Sequence, residues 1–366
     1  VTGVQTCALP ISESTQSEAK TIHRMLEFSH EKGNEAVFLR NEHNFLSQDV
    51  IILDEMSMAD TYLFCALLKA VKPGAHLILI GDADQLPSVG AGNVLRDIIE
   101  SKRFSTIKLT EVFRQAQESL IITNAHRIHS GEMPLLDVAD NDFFFVPRES
   151  DSAVAQAVAE LCQSRLPRAY GADIVSRIQI ITPSRRGEGG TDNLNRILQD
   201  TMNPKNSKKA EHPFREKIFR VGDKVMQIRN NYDIEWTRGA QRGAGIFNGD
   251  IGEILGISLP EKRMEILFDD RLVSYEFSML EELEHAYAIT VHKSQGSEYP
   301  VVIIPMYSAA PMLLTRNLLY TAVTRAQKMV ILVGKRDVVA TMVASDKQAL
   351  RYTGLGWRLM REEYGA

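Results

Sequence analysis

Two short apolar runs, each ending abruptly in acids, constrain this chain most. Val50-Ile51-Ile52-Leu53 runs straight into Asp54-Glu55, and Leu77-Ile78-Leu79-Ile80 into Gly81-Asp82-Ala83-Asp84-Gln85. Runs this short and apolar read as strands buried on both faces, the pattern of a parallel sheet. Between them, Ala59 to Ala70 carries Leu63, Leu67 and Leu68 at helical spacing, and Pro73-Gly74 stops that helix. Strand, helix, strand is the crossover unit of a parallel sheet. Open sheets of this kind take their ligands outside the carboxyl ends of the strands. A single acid-tipped strand is an ordinary meeting with solvent; two neighbours delivering carboxylates and an amide to one edge form a candidate site. One carboxylate there can hold a magnesium ion, and the next can orient a water for attack on a phosphate. Gly90 and Gly92 permit a close approach of backbone to ligand before a helix over 93–100.

Composition excludes several classes. The 366 residues allow two or three domains with real cores. Apolar content of 44% and charged content of 24% are those of a globular protein. A net charge of −5 rules out a basic chain overall while leaving room for a local basic groove. The three cysteines, Cys7, Cys65 and Cys162, are scattered with no CxxC, which argues against a disulfide framework or structural zinc and for a reducing, cytoplasmic setting. No apolar run approaches the roughly 20 residues of a membrane span. Residues 1–11 (VTGVQTCALPI) lack the basic start of a signal peptide and read as an artefactual leader, with the natural chain expected to continue upstream.

Ile22, Met25 and Leu26 share one helical face, which turns His23 and Arg24 elsewhere; periodicity alone makes this a surface helix. A small hairpin is expected near 33–46. Helices are expected over Ser119–Ser130 and Asp151–Leu166, then a buried strand over Ile178–Ile181 that ends in Thr182-Pro183-Ser184-Arg185-Arg186-Gly187. Hydroxyls and arginines at a strand end suit either a nucleic-acid backbone or a solvated basic turn. Asn203 to Phe219 is polar and lysine-rich and reads as a linker. Short strand candidates then follow at Lys224–Ile228, Ile251–Ile257, Arg263–Phe268 and Arg271–Tyr275, which predict a small barrel. Tyr232, Trp236 and Phe247 can stack on bases or pack the barrel; packing is the stronger reading for Phe247. The α/β pattern resumes with strands at Val301–Ile304 and Met329–Gly334, a helix over Leu314–Thr324, and a partly polar helical tail over Lys335–Ala366.

Five motifs in chain order, and one further stretch in the barrel region, carry a resemblance. Leu53-Asp54-Glu55-Met56-Ser57-Met58 resembles the Walker B motif of superfamily 1 helicases. Gly81-Asp82-Ala83-Asp84-Gln85-Leu86-Pro87-Ser88-Val89-Gly90 resembles their motif III in the form found in RecD-like DNA helicases. Leu109-Thr110-Glu111-Val112-Phe113-Arg114-Gln115 is similar to motif IV, and Ala286 to Glu298 (AYAITVHKSQGSE) to motif V. Leu318 to Ala326 (LLYTAVTRA) is similar to motif VI, and Phe247-Asn248-Gly249-Asp250-Ile251-Gly252 has a parallel in the family's barrel of Src-homology type.

The resemblance implies an α/β protein: two RecA-like parallel-sheet domains, the first incomplete, with a small β-barrel inserted in the second. Residues 12–108 would form the partial first domain, 109–213 with 284–366 the second, and 214–283 the barrel. Its implied cofactors are ATP and Mg2+. Asp54 would hold the metal, Glu55 the attacking water and Gln85 the γ-phosphate, with Arg114 and Arg325 stabilising developing charge and Gly296 and Glu298 at the nucleotide. His23, Thr182, Arg185, Asn248, Thr290, His292 and Lys293 would touch DNA. The implied partners are single-stranded DNA and single-strand/duplex junctions, with further recombination or repair subunits left open and no membrane. No Gly-x-x-x-x-Gly-Lys-[Ser/Thr] occurs in the sequence. The expectation is therefore the C-terminal portion of an ATP-dependent DNA helicase moving 5′ to 3′, inactive as this fragment. The alternatives are the α subunit of a multi-subunit recombination exonuclease and a non-catalytic nucleic-acid-binding module.

Overall fold

In the computed structural model, which describes residues 17, 19–30, 36–109, 118–346 and 351–361, the chain divides into two units. One is Val1–Phe113 with Lys347–Ala366, the other Arg114–Asp346.

The first unit begins with a single helical turn, α1 (Ile22–Met25), capped by the Thr21 hydroxyl accepting from the Arg24 amide. Glu27 then takes a left-handed φ of 53° and turns the chain out of the helix. An antiparallel pair follows, β1 (Phe28–His30) and β2 (Ala36–Phe38), in register Phe28↔Phe38. This hairpin starts earlier than the expected 33–46; the Phe28 and Phe38 rings, 5.3 Å apart, lock it across the strands. β3 (Val50–Leu53), α2 (Thr61–Ala70) and β4 (His76–Leu79) form the expected crossover, with β3 and β4 parallel in register Val50↔His76. Asp60 caps α2, and α3 (Val94–Ser101) follows the second acid-tipped loop.

One expectation fails here. Ile51 and Leu53 are buried with Met56, Phe64, Leu67 and Leu95, yet Val50 and Ile52 are 50% and 61% exposed and Ile78 and Ile80 46% and 49%. The two strands are covered on one face only, because no described element packs on the other. The described part of the C-terminal tail, 351–361, groups with this unit, whereas the sequence assigns it to the second domain. The helix Leu355–Met360 lies against α3, and Leu355 packs on the core beneath.

The second unit holds a five-stranded, all-parallel sheet flanked by helices. Its elements begin with α4 (Leu120–His129), β5 (Phe143–Pro147), α5 (Asp151–Glu160), β6 (Ile178–Thr182) and α6 (Thr191–Met202). A two-stranded hairpin, β7 (Glu211–Phe214) and β8 (Lys217–Arg220), occupies the stretch expected to be a linker. Arg215 at its tip adopts φ 54°, and Arg220 is tied to Glu211 across the strands, so polar residues still pair as a ribbon. Next come β9 (Lys224–Gln227), β10 (Asn231–Arg238), β11 (Gln241–Ile246), β12 (Ile251–Ser258), β13 (Arg263–Phe268), β14 (Arg271–Glu276) and β15 (Leu283–His285). These make one seven-stranded antiparallel sheet around its own core of Phe219, Val225, Ile246, Ile254, Ile266, Phe268 and Tyr275, consistent with the expected small barrel inserted in the parallel-sheet domain. The chain then returns through β16 (Ala288–Thr290), β17 (Tyr299–Met306), α7 (Arg316–Val323), β18 (Ala326–Gly334) and α8 (Arg336–Ala344). The parallel order is β16-β6-β17-β18-β5, and β6 is buried along its whole length, as two-sided cover demands.

Candidate functional site

Beyond β3 and β4 the backbone ladder continues. Ile80 donates to the Leu53 carbonyl at 2.7 Å and Met56 to the Ile80 carbonyl at 2.9 Å, which fixes the two acid-bearing turns side by side. Gly81 is what allows it: a Cβ there would fall 2.9 Å from both the Met56 nitrogen and a Leu95 methyl. Asp54 is exposed, and its Oδ1 accepts from the Glu55 amide at 2.8 Å. Glu55 itself sits in the left-handed region at φ 52°, ψ 39°, a conformation a glutamate adopts only at a cost. Asp82 organises the second turn, accepting from the Asp84 amide at 2.9 Å and from Gln85 Nε2 at 3.3 Å. The Gln85 Oε1 that this leaves is buried with no hydrogen-bond partner.

The loop that follows folds onto the start of α2. Gly90 lies so close to Asp60 that a Cβ would meet its carboxylate at 2.0 Å, and Thr61 donates to the Ala91 carbonyl at 2.9 Å. From the C-terminal segment, Arg351 Nη1 donates to the Gly90 carbonyl, to the Gly92 carbonyl at 2.9 Å and to Ser88 Oγ at 3.2 Å. Among the described residues no acid pairs with it, and burial lowers its pKa below the usual guanidinium value. Sequence reasoning missed Arg351 because nothing local marks it. His23, expected at DNA, stands in an aromatic group, 5.6 Å from the Phe28 ring and 5.8 Å from Phe38; burial lowers its pKa. Arg114 lies outside the described residues.

In the second unit the sheet again delivers its chemistry at the carboxyl edge. Thr290 on β16 and Thr182 on β6 are register partners, so the loops after them leave together. Thr182 is fully buried: its hydroxyl donates to the Gly189 carbonyl at 2.6 Å and lies 3.3 Å from Tyr307 Oη. It braces the loop from inside and presents nothing to a DNA strand, which changes its expected role. Tyr307, from the end of β17, also reaches Ser184 Oγ at 2.8 Å. Arg185, carried by that loop, is 59% exposed and pairs with Glu284 at 3.2 Å and Asp192 at 3.7 Å.

The loop after Thr290 forms a short 3-10 turn, Val291–Ser294, whose Lys293 Nζ meets Glu284 Oε2 at 2.6 Å. His292 is half-buried beside it. Gly296 takes φ 73° to bring the chain round, and the exposed Glu298 accepts from Gln327 at 3.2 Å. Arg325 returns to this turn. It is 4% exposed, its Nη1 donates to the Ser297 carbonyl and its Nη2 to Thr324 Oγ1, both at 3.4 Å, and its Nε has no partner. A buried guanidinium held by two long bonds is an unsatisfied cation.

Phe247 is buried, in line with its packing role, and Tyr232 meets it edge-on at 5.5 Å. Trp236 packs over Gly243, whose Cβ would lie 2.3 Å from the indole. Asn248 is half-buried on the turn after β11, its amide donating to Asn230 Oδ1 at 3.0 Å. No cluster of three or more His, Cys, Asp or Glu able to hold a metal occurs among the described residues, and none of their helices is long and apolar enough to cross a membrane.

Comparison with known proteins adds to this geometry. The AAA domain family matches residues 4–144, the ATP-dependent RecD-like DNA helicase SH3 domain 194–268, and the UvrD-like helicase C-terminal domain 285–333. The ATP-dependent RecD2 DNA helicase of Deinococcus radiodurans is 34% identical over 341 residues, 93% of this chain and 43% of that protein. The RecBCD enzyme subunit RecD of Mycobacterium tuberculosis is 32% identical over 354 residues, 93% of this chain and 58% of that one. The chain therefore spans only about half the length of these relatives. Among solved structures, the Pif1 helicase from Bacteroides in complex with ADP-AlF3 and ssDNA superposes with a TM-score of 0.51 at 18% identity, covering 90% of this chain and 81% of that one; the likeness is one of fold.

Proposed function

We propose, from the premise that this chain belongs to the RecD-like DNA helicases, that it is the C-terminal portion of an ATP-driven motor that tracks 5′ to 3′ along single-stranded DNA and parts a duplex ahead of it. The observation that carries the reading is Arg325, a buried guanidinium without a carboxylate and with a free Nε. A terminal phosphate supplies the anion such a group lacks, and arginine's planar fork suits phosphate oxygens. The unpartnered Gln85 Oε1 supports the same reading, since an acceptor poised at a strand end can orient a water or sense a phosphate.

Asp54, exposed at a strand end, fits a magnesium ion that takes one carboxylate and draws its remaining ligands from phosphates and water. That ion would neutralise charge on the phosphates. Glu55 would orient the attacking water, and Arg114 and Arg325 would stabilise the charge that develops on the transferred group. Gly296 and Glu298 would sit at the nucleotide. Arg185, Thr290, His292 and Lys293 would hold DNA phosphates without reading bases, which a motor travelling along any sequence requires. His23 and Asn248 would add contacts, and Thr182 would act by bracing the loop that bears Arg185.

In the full-length protein, Arg325→Ala is expected to slow DNA-stimulated ATP hydrolysis by about a thousandfold while single-stranded DNA is still bound at low salt. Normal turnover in that variant would remove Arg325 from the site. The 366-residue chain contains no phosphate-loop motif and is expected to show no DNA-stimulated hydrolysis by itself. A second reading, a subunit of a recombination exonuclease, is favoured by the 32% identity to a RecBCD subunit. Co-purification with nuclease subunits tests it.

A further inference from the structure

Three cations from three separate elements converge on one carboxylate. Lys293 after β16, Arg185 after β6 and Lys217 on β8 lie 2.6, 3.2 and 3.9 Å from the oxygens of Glu284, which stands on β15. Glu284 is the least exposed of the four at 20%, while Arg185, Lys217 and Lys293 are 59%, 38% and 30% exposed. With Asp192 on Arg185, the group holds three cations against two carboxylates. Without Glu284, Lys293 and Lys217 would lose the carboxylate they share and Arg185 would keep Asp192 alone. Burial is the main force lowering the pKa of Lys217, and the charges of Arg185 and Lys293 push the same way while Glu284 opposes them. Glu284 answers in kind: burial would raise its pKa, but Lys293, Lys217 and Arg185 together hold it below the usual carboxylate value.

Carboxylate and phosphodiester anions draw on the same donors. Resting on the reading of this edge as a DNA track, we propose that Glu284 stands in for a backbone phosphate of single-stranded DNA. It keeps the three cations gathered, DNA replaces it among them, and Lys217 is a backbone contact alongside Arg185 and Lys293. Such a placeholder gives a motor a grip that closes on DNA without a large electrostatic attraction between encounters. It also alters how binding answers to salt. The condensed counterions are those of the DNA, and the displaced Glu284 carboxylate offsets one of the three cations and recruits a salt cation of its own, so the exchange releases fewer ions net than three free cations would. The binding constant then falls with salt less steeply than the count of contacts would give.

The test is fluorescence anisotropy of a labelled oligo-dT strand with the 366-residue chain, titrated from low to high salt. Glu284→Gln, close in shape and neutral, is expected to bind at least about threefold tighter at low salt, with a log–log salt slope steeper by about 0.7 for each cation set free, so that the gain fades as salt rises. Lys217→Ala in the otherwise natural chain is expected to weaken binding several-fold, and in the Glu284→Gln background to remove one such increment of slope. Binding by the natural chain with Glu284→Gln equal or weaker at unchanged slope, or with Lys217→Ala unchanged, would overturn the proposal while leaving the DNA-tracking reading intact. No binding by either the natural chain or Glu284→Gln at low salt would overturn both.

Discussion

Thr290 and Thr182 face each other as register partners on adjacent parallel strands, one with its side chain half-exposed and the other sealed beneath its own loop. Strand pairing thus sets two cation-bearing loops at one height on one edge. Tyr307, from the strand on the other side of β6, reaches Thr182 and Ser184 at the start of the loop after β6. The edge is a platform whose exposed charges are positioned by buried hydroxyls.

Removing the buried hydroxyl separates bracing from contact. Thr182→Val keeps the shape but strips the Gly189 carbonyl of its 2.6 Å donor. A loss of about 1–3 kcal/mol is expected in urea unfolding, the penalty for an unpaired buried acceptor, together with weaker DNA binding through the displaced Arg185. Thr182→Ser, which keeps the donor, should lose much less of either. Equal behaviour of the two variants would show that the hydroxyl braces nothing.

Glu55 offers a second measurement. Its φ of 52° is one a glycine adopts freely and an alanine does not. Both Glu55→Gly and Glu55→Ala lack the carboxylate, so the difference between them reports the backbone. Glu55→Gly is expected to be the more stable of the pair by about 1 kcal/mol in urea unfolding. This reverses the order seen in a helix or strand, where glycine is the weaker choice. Alanine more stable than glycine would mean that the turn stores no strain.

Much of this architecture was legible in the chain, and what was not has physical causes. The crossover from Val50 to Ile80 announced itself because apolar runs and a helical stripe are local signals. The strands that begin at Lys224, Ile251, Arg263 and Arg271 are legible in the sequence for the same reason. β11 was missed because Gln241-Arg242-Gly243-Ala244-Gly245 has no strand-like composition; its pairing comes from β10 and the Trp236 ring over Gly243. The hairpin β7–β8 hid among lysines, and with it Lys217. One-sided cover of β3 and β4 could not be read either, since an apolar run looks alike whether or not a neighbour packs on it. Thr182 carried the right chemistry but faced the wrong way. Glu284 became meaningful only when three distant cations met it.

Arg351 is the extreme of that distance, lying 259 residues from the Gly92 carbonyl it caps. Its bonds to the Gly90 and Gly92 carbonyls and to Ser88 pin the loop whose Ala91 carbonyl receives the Thr61 amide. Arg351→Ala is expected to free that loop, with amide exchange at Thr61 quickened about tenfold or more, because each backbone acceptor it serves would lose a charge-assisted donor. Arg351→Lys should recover part of the protection, since one ammonium can reach some of the same carbonyls. Unchanged exchange at Thr61 in Arg351→Ala would mean the loop holds itself.

Lys224 tests how the barrel is seated on the parallel sheet. From β9 its Nζ reaches across to the Ile178 carbonyl at 3.2 Å and to Gln179 Oε1 at 2.8 Å. No acid is among those partners, and burial lowers its pKa from 10.5 to about 8. Below that value the ammonium is charged in both folded and unfolded chains, and folding bears a constant penalty for burying it. As pH rises from about 8 toward 10.5 the folded chain sheds the proton while the unfolded chain keeps it. The unfolded state then binds more protons, so stability rises with pH across that window, by roughly 3 kcal/mol if the whole shift is realised. Lys224→Met carries no proton and should lack the rise. The measurement is urea unfolding of both proteins between pH 7 and pH 10. The natural chain is expected to gain on the variant steadily through that range; parallel curves would mean that the ammonium is hydrated in the folded protein.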